Sequence, residues 1–381
     1  MKPKLLTTLA TYDRRQFRGD AIAGATVALV ALPLSIAIAI ASGAPPEAGL
    51  ATAIVGGFLI SALGGSKVQI GGPTGAFIVV VYTIIAKHGL DGLMLATLMA
   101  GVLLVLGGLL GAGRLIRLIP EPVIEGFTIG IAVVIAASQL KDLAGLETGP
   151  LDAEFIDKLV ELWAARATLD WPSLLLGLAT IVGILVVRRY APQFRARAVV
   201  VLLTSLVAFL AVPSAETVTQ RFGELPHGLP WPSLPPVSWQ LLVDLAPAAI
   251  AIALLAGIES LLSAIVADRM IGSTHRSSAE LIAQGAANIA SPLFGGLPAT
   301  GAIARTATNV DAGGRTPVAG MIHALVILLA MLVLAPLAGE LALPALAGLL
   351  IVTAWNMSEP HRWGERMALP RWELGLLFLT A

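Results

Sequence analysis

The chain has 381 residues, 57% of them hydrophobic and only 13% charged, with a mean hydropathy of +0.87 and no net charge. A soluble domain carries about 25% charge, so this composition excludes an ordinary soluble globule, and neutrality gives no general attraction to nucleic acid. Cysteine is absent, which removes disulfides, thiolate metal sites and cysteine nucleophiles together.

Residues 1–20 are polar and basic, without the apolar core and small-residue cleavage site of a signal peptide, so the first apolar run is expected to stay in the membrane. A crossing helix needs roughly 20 apolar residues. Such runs are predicted over 21–42, 47–64, 92–111, 122–140, 171–188, 196–212, 245–267, 317–335 and 341–355. Shorter runs lie at 76–88, 278–293 and 302–309, and a last one begins at Trp372 and stops at Ala381, so the chain is expected to continue. The stretch Leu151 to Ala165 has apolar residues at helical spacing and reads as a surface helix.

Charge orders these segments. With the amino terminus in the cytoplasm and all thirteen segments counted, 18 of the 24 basic residues fall in inside loops and 5 in outside loops, with Arg305 inside a short segment. That satisfies the positive-inside rule, and omitting one short run would invert every later loop. All seven tryptophans sit at span ends or in loops, where an amphipathic indole belongs.

Two segments read alike. Gly71-Gly72-Pro73-Thr74-Gly75-Ala76 recurs as Gly295-Gly296-Leu297-Pro298-Ala299-Thr300-Gly301-Ala302, with the Thr-Gly-Ala cores 226 residues apart (300 − 74). The same offset takes Pro33, in the first span, to Glu259, in the eighth. Seven spans separate the copies, and an odd number turns the second copy upside-down. Inverted repeats are a recurring construction of secondary transporters, with the substrate held at mid-membrane where the copies meet.

Each motif leads into a run too short to cross, Phe77 to Ala86 and Ala302 to Asn309. A helix start presents free N–H groups and about half a positive charge, which suits an anion. Thr74, Gly75, Ala76 and Phe77 with Ala299, Thr300, Gly301 and Ala302 are therefore candidate substrate contacts. The competing reading is that these glycines only permit tight helix packing. Pro33 frees a backbone carbonyl beside Ser35, which would either contact substrate or simply kink the span. Glu259 lies mid-span, where a carboxylate costs roughly 3 kcal/mol and usually serves ion or proton movement. With Ser263 one turn on, it would carry a proton or hold Na⁺ through oxygen ligands; a structural hydrogen bond to a neighbouring helix is the alternative. Arg305 would attract the anion or snorkel to the cytoplasmic interface. Asp268-Arg269 reads as a cytoplasmic end cap. Signatures of metalloproteases, α/β-hydrolases and P-loop enzymes are missing, and neither a metal nor a cofactor is expected.

These residues also carry a family resemblance. Leu32-Pro33-Leu34-Ser35 and Ala44-Pro45-Pro46-Glu47-Ala48-Gly49-Leu50 resemble the first two spans of the sulfate permease (SulP) anion transporters, and Gly71 to Phe77 resembles their third. Glu259-Ser260-Leu261-Leu262-Ser263, Phe294 to Arg305 and Gly313-Gly314-Arg315-Thr316 resemble their eighth to eleventh. The resemblance implies an all-α fold of two inverted seven-span repeats, here about 20–212 and 245–381. Spans 1–4 and 8–11 would form a core domain and spans 5–7 and 12–14 a gate domain, with the chain ending in span 13. It further implies substrate between the two short helices, frequent homodimers and a cytoplasmic STAS domain that is not in this sequence. Glu259 and Ser263 match the cation-coupling positions of bicarbonate-transporting relatives, which carry aspartate and threonine there. Leu34 stands where many members have glutamine.

The expected function is secondary active transport of a small anion (bicarbonate, sulfate or a dicarboxylate) coupled to H⁺ or Na⁺, in the inner membrane if the source is bacterial. An uncoupled anion channel and a nucleobase–cation symporter of the same fold are the alternatives. Only a transporter concentrates its solute, and a nucleobase site needs polar side chains beyond Gln69.

Overall fold

The computed structural model describes residues 2–113, 121–148, 154–190, 197–368 and 370–380. Leu151, the start of the predicted surface helix, and Arg114, Arg117 and Arg195, three of the basic residues counted to the inside, lie outside these residues. The described chain is mostly helical, and seven of its stretches are long and apolar enough to cross a membrane. It divides into two compact units, residues 1–116 with 225–335, and residues 117–224 with 336–381.

In the first unit, α1 (Arg14–Ala41) starts at a capping box in which Asp13 and Gln16 satisfy each other's backbone N–H groups. The next span, α2 (Pro46–Leu63), contains a π-turn over Thr52–Gly56. A two-residue strand, β1 (Gly71–Gly72), follows, then a 3-10 turn over Gly75–Phe77 and the helix α3 (Ile78–Leu109). The stretch Gly75–Leu109 has 35 residues. At 1.5 Å per residue that is about 52 Å, far beyond a hydrocarbon core of about 30 Å. It turns instead at Gly89 (φ 67°, ψ −172°). The two limbs, 78–88 and 90–109, are the short third and full fourth spans expected from the sequence.

The second half of this unit follows the same plan. The long helix α8 (Trp239–Ile271), numbered after the helices of the other unit described below, is capped by Ser238, whose hydroxyl accepts from Leu241 N at 3.2 Å, and ends at the left-handed Gly272. Past it, Asp268 accepts from Ser273 Oγ and His275 N, each at 2.7 Å, holding the turn that leads to α9 (Ser277–Leu293). Strand β2 (Thr300–Gly301), α10 (Ile303–Asp311) and α11 (Pro317–Gly339) complete the series, with Pro336 of α11 at the unit boundary. Nine residues make α10 about 14 Å long, half a crossing.

The strands β1 and β2 pair antiparallel, Gly71 opposite Gly301 and Gly72 opposite Thr300, and Ala302 N donates to Ile70 O at 2.9 Å. The two recognised motifs therefore share one ladder. That ladder satisfies backbone groups which would otherwise be unpaired in lipid. A second tie links the two ends of the unit. Asp20, buried near the start of α1, accepts from Arg315 N (2.9 Å), Thr316 N (3.2 Å), the Thr316 hydroxyl and the Tyr12 phenol (3.0 Å). Burial, and then the Asp20 carboxylate, push the Tyr12 pKa up to about 12, so the phenol keeps its proton as a donor.

The second unit contains α4 (Glu121–Leu143), α5 (Phe155–Ala164), α6 (Trp171–Tyr190), α7 (Arg197–Ala211), α12 (Leu343–Met357) and α13 (Arg371–Thr380). Helix α5 is the surface helix expected from spacing. Here too a bridge joins the halves, with Val218 N donating to Leu341 O (3.0 Å) and Leu343 N to Glu216 O (2.9 Å). Buried Arg366 pairs with Glu125 and Glu359, each at 3.0 Å.

Candidate functional site

The site grows from α8, which receives one threonine from each motif. The Thr74 hydroxyl donates to Glu259 Oε2 at 2.9 Å, and the Thr300 hydroxyl donates to Ala256 O at 3.0 Å. These acceptors lie within one turn of each other, so α8 holds both breaks in the chain at one depth. Glu259 is half-buried, whereas Ser260 and Ser263 beside it are fully buried.

Both half-length helices start without a side-chain cap. Thr74 occupies the N-cap position of the Gly75–Phe77 turn, where threonine would ordinarily accept from the next backbone N–H groups. Its hydroxyl is instead turned to Glu259. Ala302 is the N-cap of α10 and has nothing to offer. The first N–H donors of both helices are thus left for another partner. Ala76, Phe77, Ala299 and Ala302 are all buried around these starts.

Arg305 sits in the first turn of α10 and is only 3% exposed. Its Nη2 donates to Ser35 Oγ at 3.1 Å, while its Nη1 is buried without a hydrogen-bond partner. The guanidinium reaches this position because Gly72 has no side chain: a Cβ there would lie 2.2 Å from Nη1. Snorkelling to an interface, one of the two expectations for Arg305, is therefore overturned. Burial under Gly72 and the Ser35 hydroxyl hold the cation inside the unit. Pro33 is buried within a continuous α1, and it is Ser35, two residues on, that meets Arg305.

Ser263 has a different neighbour from the one its spacing suggested. Its hydroxyl lies 3.3 Å from Thr306 Oγ1, which accepts from Ile70 N at 3.1 Å, so Ser263 braces α10 and the β1 segment. Glu259 and Ser263 share α8, but the Ser263 hydroxyl pairs with Thr306 and the Glu259 carboxylate with Thr74. Among the described residues no group of three His, Cys, Asp or Glu could hold a metal ion.

Sequence reasoning missed several participants. Gln69 donates from Nε2 to Ser260 Oγ (3.0 Å) and Ser260 O (3.3 Å), and its amide lies flat on Gly301. Thr52, in the π-turn, accepts from Leu297 N at 2.6 Å. Glu280, Gln284 and Asn288 in α9 are fully buried. The available signal was polar residues every fourth position within an apolar run.

The Gln69 contact gives a direct prediction. A Cβ on Gly301 would lie 1.4 Å from Gln69 Nε2 and 2.5 Å from Cδ. Gly301→Ala should therefore expel the amide and lower stability by about 1–3 kcal/mol, as overpacking does. A thermal unfolding midpoint in detergent checks this, and an unchanged midpoint would show that Gln69 yields freely.

The model of the sulfate permease family matches residues 17–380. YvdB of Bacillus subtilis, which bears a sulfate-transporter name, is 45% identical over 97% of this chain. The bicarbonate transporter BicA of Picosynechococcus is 33% identical over 88% of it. The chain spans 70% of the length of YvdB and 61% of that of BicA. Among solved structures, the transmembrane domain of a cyanobacterial BicA superposes with a TM-score of 0.89 at 29% identity, covering 97% of this chain and 95% of that one.

Proposed function

The chain belongs to the sulfate permease family of integral membrane proteins, and from that premise we propose that it is a secondary active transporter of a small oxyanion coupled to H⁺ or Na⁺. The observation that carries the reading is the pair of uncapped half-helix starts held together by the β1–β2 ladder, with Arg305 buried in the first turn of one of them. The starts of the two short helices would face the anion, Gly75 and Ala76 on one side and the first turn of α10 on the other. Thr74, Phe77 and Ala299 to Ala302 would line it, since the N–H groups of Phe77, Ala299 and Ala302 are already taken by Thr74 O, Asn288 Oδ1 and Ile70 O. Pro33 and Ser35 would flank it through α1. The relatives bear the names of sulfate and bicarbonate transporters. Those anions share the oxygens that backbone N–H groups and a guanidinium bind.

Charge bookkeeping supports coupling through Glu259. Two helix starts contribute about half a charge each, the guanidinium one, and an ionised Glu259 subtracts one, so the site sums to about +1. A proton or Na⁺ on Glu259 raises that to about +2, which strengthens anion binding. By linkage the anion strengthens cation binding equally. Ser263, engaged with Thr306, would serve a Na⁺ only after turning away from that contact. Every residue of the site lies in the first unit, so alternating access would proceed by movement of that unit as a core against the second as a gate. Cytoplasmic placement of the amino terminus rests on the distribution of basic residues.

The test is uptake into proteoliposomes of radiolabelled sulfate, bicarbonate and a dicarboxylate under imposed proton and sodium gradients. Accumulation of one of them above equilibrium, driven by one of the gradients, is the expected result. Flux that only dissipates an anion gradient would make the protein a channel.

A further inference from the structure

One face of α9 carries four fully buried polar side chains, Glu280, Gln284, Asn288 and Ser291, at successive spacings of four, four and three. They lie along a single helix face; Glu280, Asn288 and Ser291 each hold a segment of chain beyond α9, and Gln284 donates to Glu280 within it. Glu280 is the most heavily used. Its Oε2 accepts from Gly65 N at 2.8 Å and Ser66 N at 3.0 Å, and its Oε1 accepts from Gln284 Nε2 at 2.9 Å and Ser260 Oγ at 3.3 Å. All four acceptor positions of the carboxylate are engaged. It is therefore fixed in place, unlike Glu259, which among the described residues accepts a hydrogen bond from Thr74 alone.

The groups held by Glu280 lead to the first motif. Gly65 and Ser66 begin the segment that enters β1, and Ser260 follows Glu259 directly in α8. Through Ser260 the network continues to Gln69, which packs on Gly301. Two turns further along α9, Asn288 clamps the second motif. Its Oδ1 accepts from Ala299 N at 2.9 Å, and its Nδ2 donates to Ala299 O at 2.7 Å. One turn later Ser291 Oγ donates to Leu297 O at 2.8 Å. A single rigid helix thus takes hold of the chain just before each broken helix.

We propose that the polar face of α9 is a positioning rail that sets the separation of the two half-helix starts, with Glu280 and Asn288 as positioning residues for anion binding. Neither residue touches the anion in this arrangement. The proposal rests on the transport reading above and adds a determinant of affinity outside the site. Glutamine at position 280 would place an NH₂ group against donors, either the Gly65–Ser66 pair or Ser260 and Gln284, and so release one end of the rail. Ser260→Ala is gentler: it removes only the relay between Glu280 and Gln69 and leaves the other three bonds to the carboxylate.

The experiment measures uptake of [³⁵S]sulfate and [¹⁴C]bicarbonate by the full chain in proteoliposomes. Wild type, Glu280→Gln, Asn288→Ala and Ser260→Ala are compared, with detergent unfolding midpoints for each. Ser260→Ala is expected to raise KM severalfold, and either rail variant that folds to raise it about tenfold or more, because a misplacement of even 1 Å is strongly felt at a preorganised site. Vmax per folded carrier should stay within about twofold of wild type, since the rail shapes binding rather than the later steps. Glu280→Asp should recover part of the affinity. A merely structural role would lower midpoints and leave KM untouched, and that result in Ser260→Ala together with any rail variant that folds overturns the rail. Wild-type uptake of neither anion, nor of a labelled dicarboxylate in the same vesicles, would overturn the transport reading and the rail with it, whereas wild-type uptake with unaltered KM in the variants removes the rail alone.

Discussion

Glu259→Gln should abolish gradient-driven accumulation while leaving downhill anion exchange intact. Glutamine is nearly isosteric with a protonated glutamate and can still accept from Thr74, whose hydroxyl lies 2.9 Å from Oε2 in the native chain. It mimics the cation-loaded state permanently. The site then keeps its higher positive charge at every pH, and the anion binds without recruiting a cation. For a one-proton symporter a gradient of one pH unit, about 1.4 kcal/mol, supports about tenfold accumulation. In the variant this should fall to a ratio of about one. Exchange of labelled for unlabelled anion should continue, with a KM that no longer follows pH or sodium. Measuring accumulation and exchange in the same vesicles separates loss of coupling from loss of folding. Coupled uptake at the native level in Glu259→Gln would remove this residue from the mechanism.

The second large effect is expected at Arg305. The guanidinium is 3% exposed, with Nη1 unpaired and the other end on Ser35, and under the proposed function it would be the charge that meets the anion. Hydrogen bonds involving a charged group are worth about 1.5–3 kcal/mol. Arg305→Gln should therefore raise the anion KM by about 10- to 150-fold. Arg305→Lys should recover only part, because an ammonium cannot bond Ser35 and an oxyanion with the same fork. Ser35→Ala should have a smaller effect, since it frees the guanidinium without removing its charge. Competition binding of sulfate and bicarbonate to purified protein measures these differences independently of turnover. Native affinity in Arg305→Gln would exclude the guanidinium from the anion site.

Some of this was legible in the residues alone because it is local. Apolar runs of bilayer length place the spans, and the chain need consult nothing distant to adopt helices there. The short runs were readable for the same reason: Pro73, Pro298 and the surrounding glycines interrupt helix locally. Comparing the two Thr-Gly-Ala motifs then exposed an inverted duplication, which the fold shared with the BicA transmembrane domain shows directly. Glu259 stood out because a lone acid in an apolar span is costly wherever it lands.

What the residues could not disclose is who answers whom across some two hundred positions. Arg305 has two destinations open to it in the sequence, and Gly72 and Ser35 are what receive it in the fold. Ser263 had the right spacing to join Glu259, yet the approach of α10 gave it Thr306 instead. Thr74, at the N-cap position of one short helix, donates to Glu259 instead, and Ala302 at the other has no side-chain acceptor, so neither start is capped by a side chain. The four-residue spacing of Glu280, Gln284 and Asn288 marks one helix face in the sequence, but their partners Gly65, Ser66 and Ala299 are set by the fold. Hydropathy and backbone breaks act within a turn or two and so survive in a one-dimensional reading. Hydrogen-bond partnership between buried groups depends on which segments the tertiary structure packs together, and only the folded chain decides that.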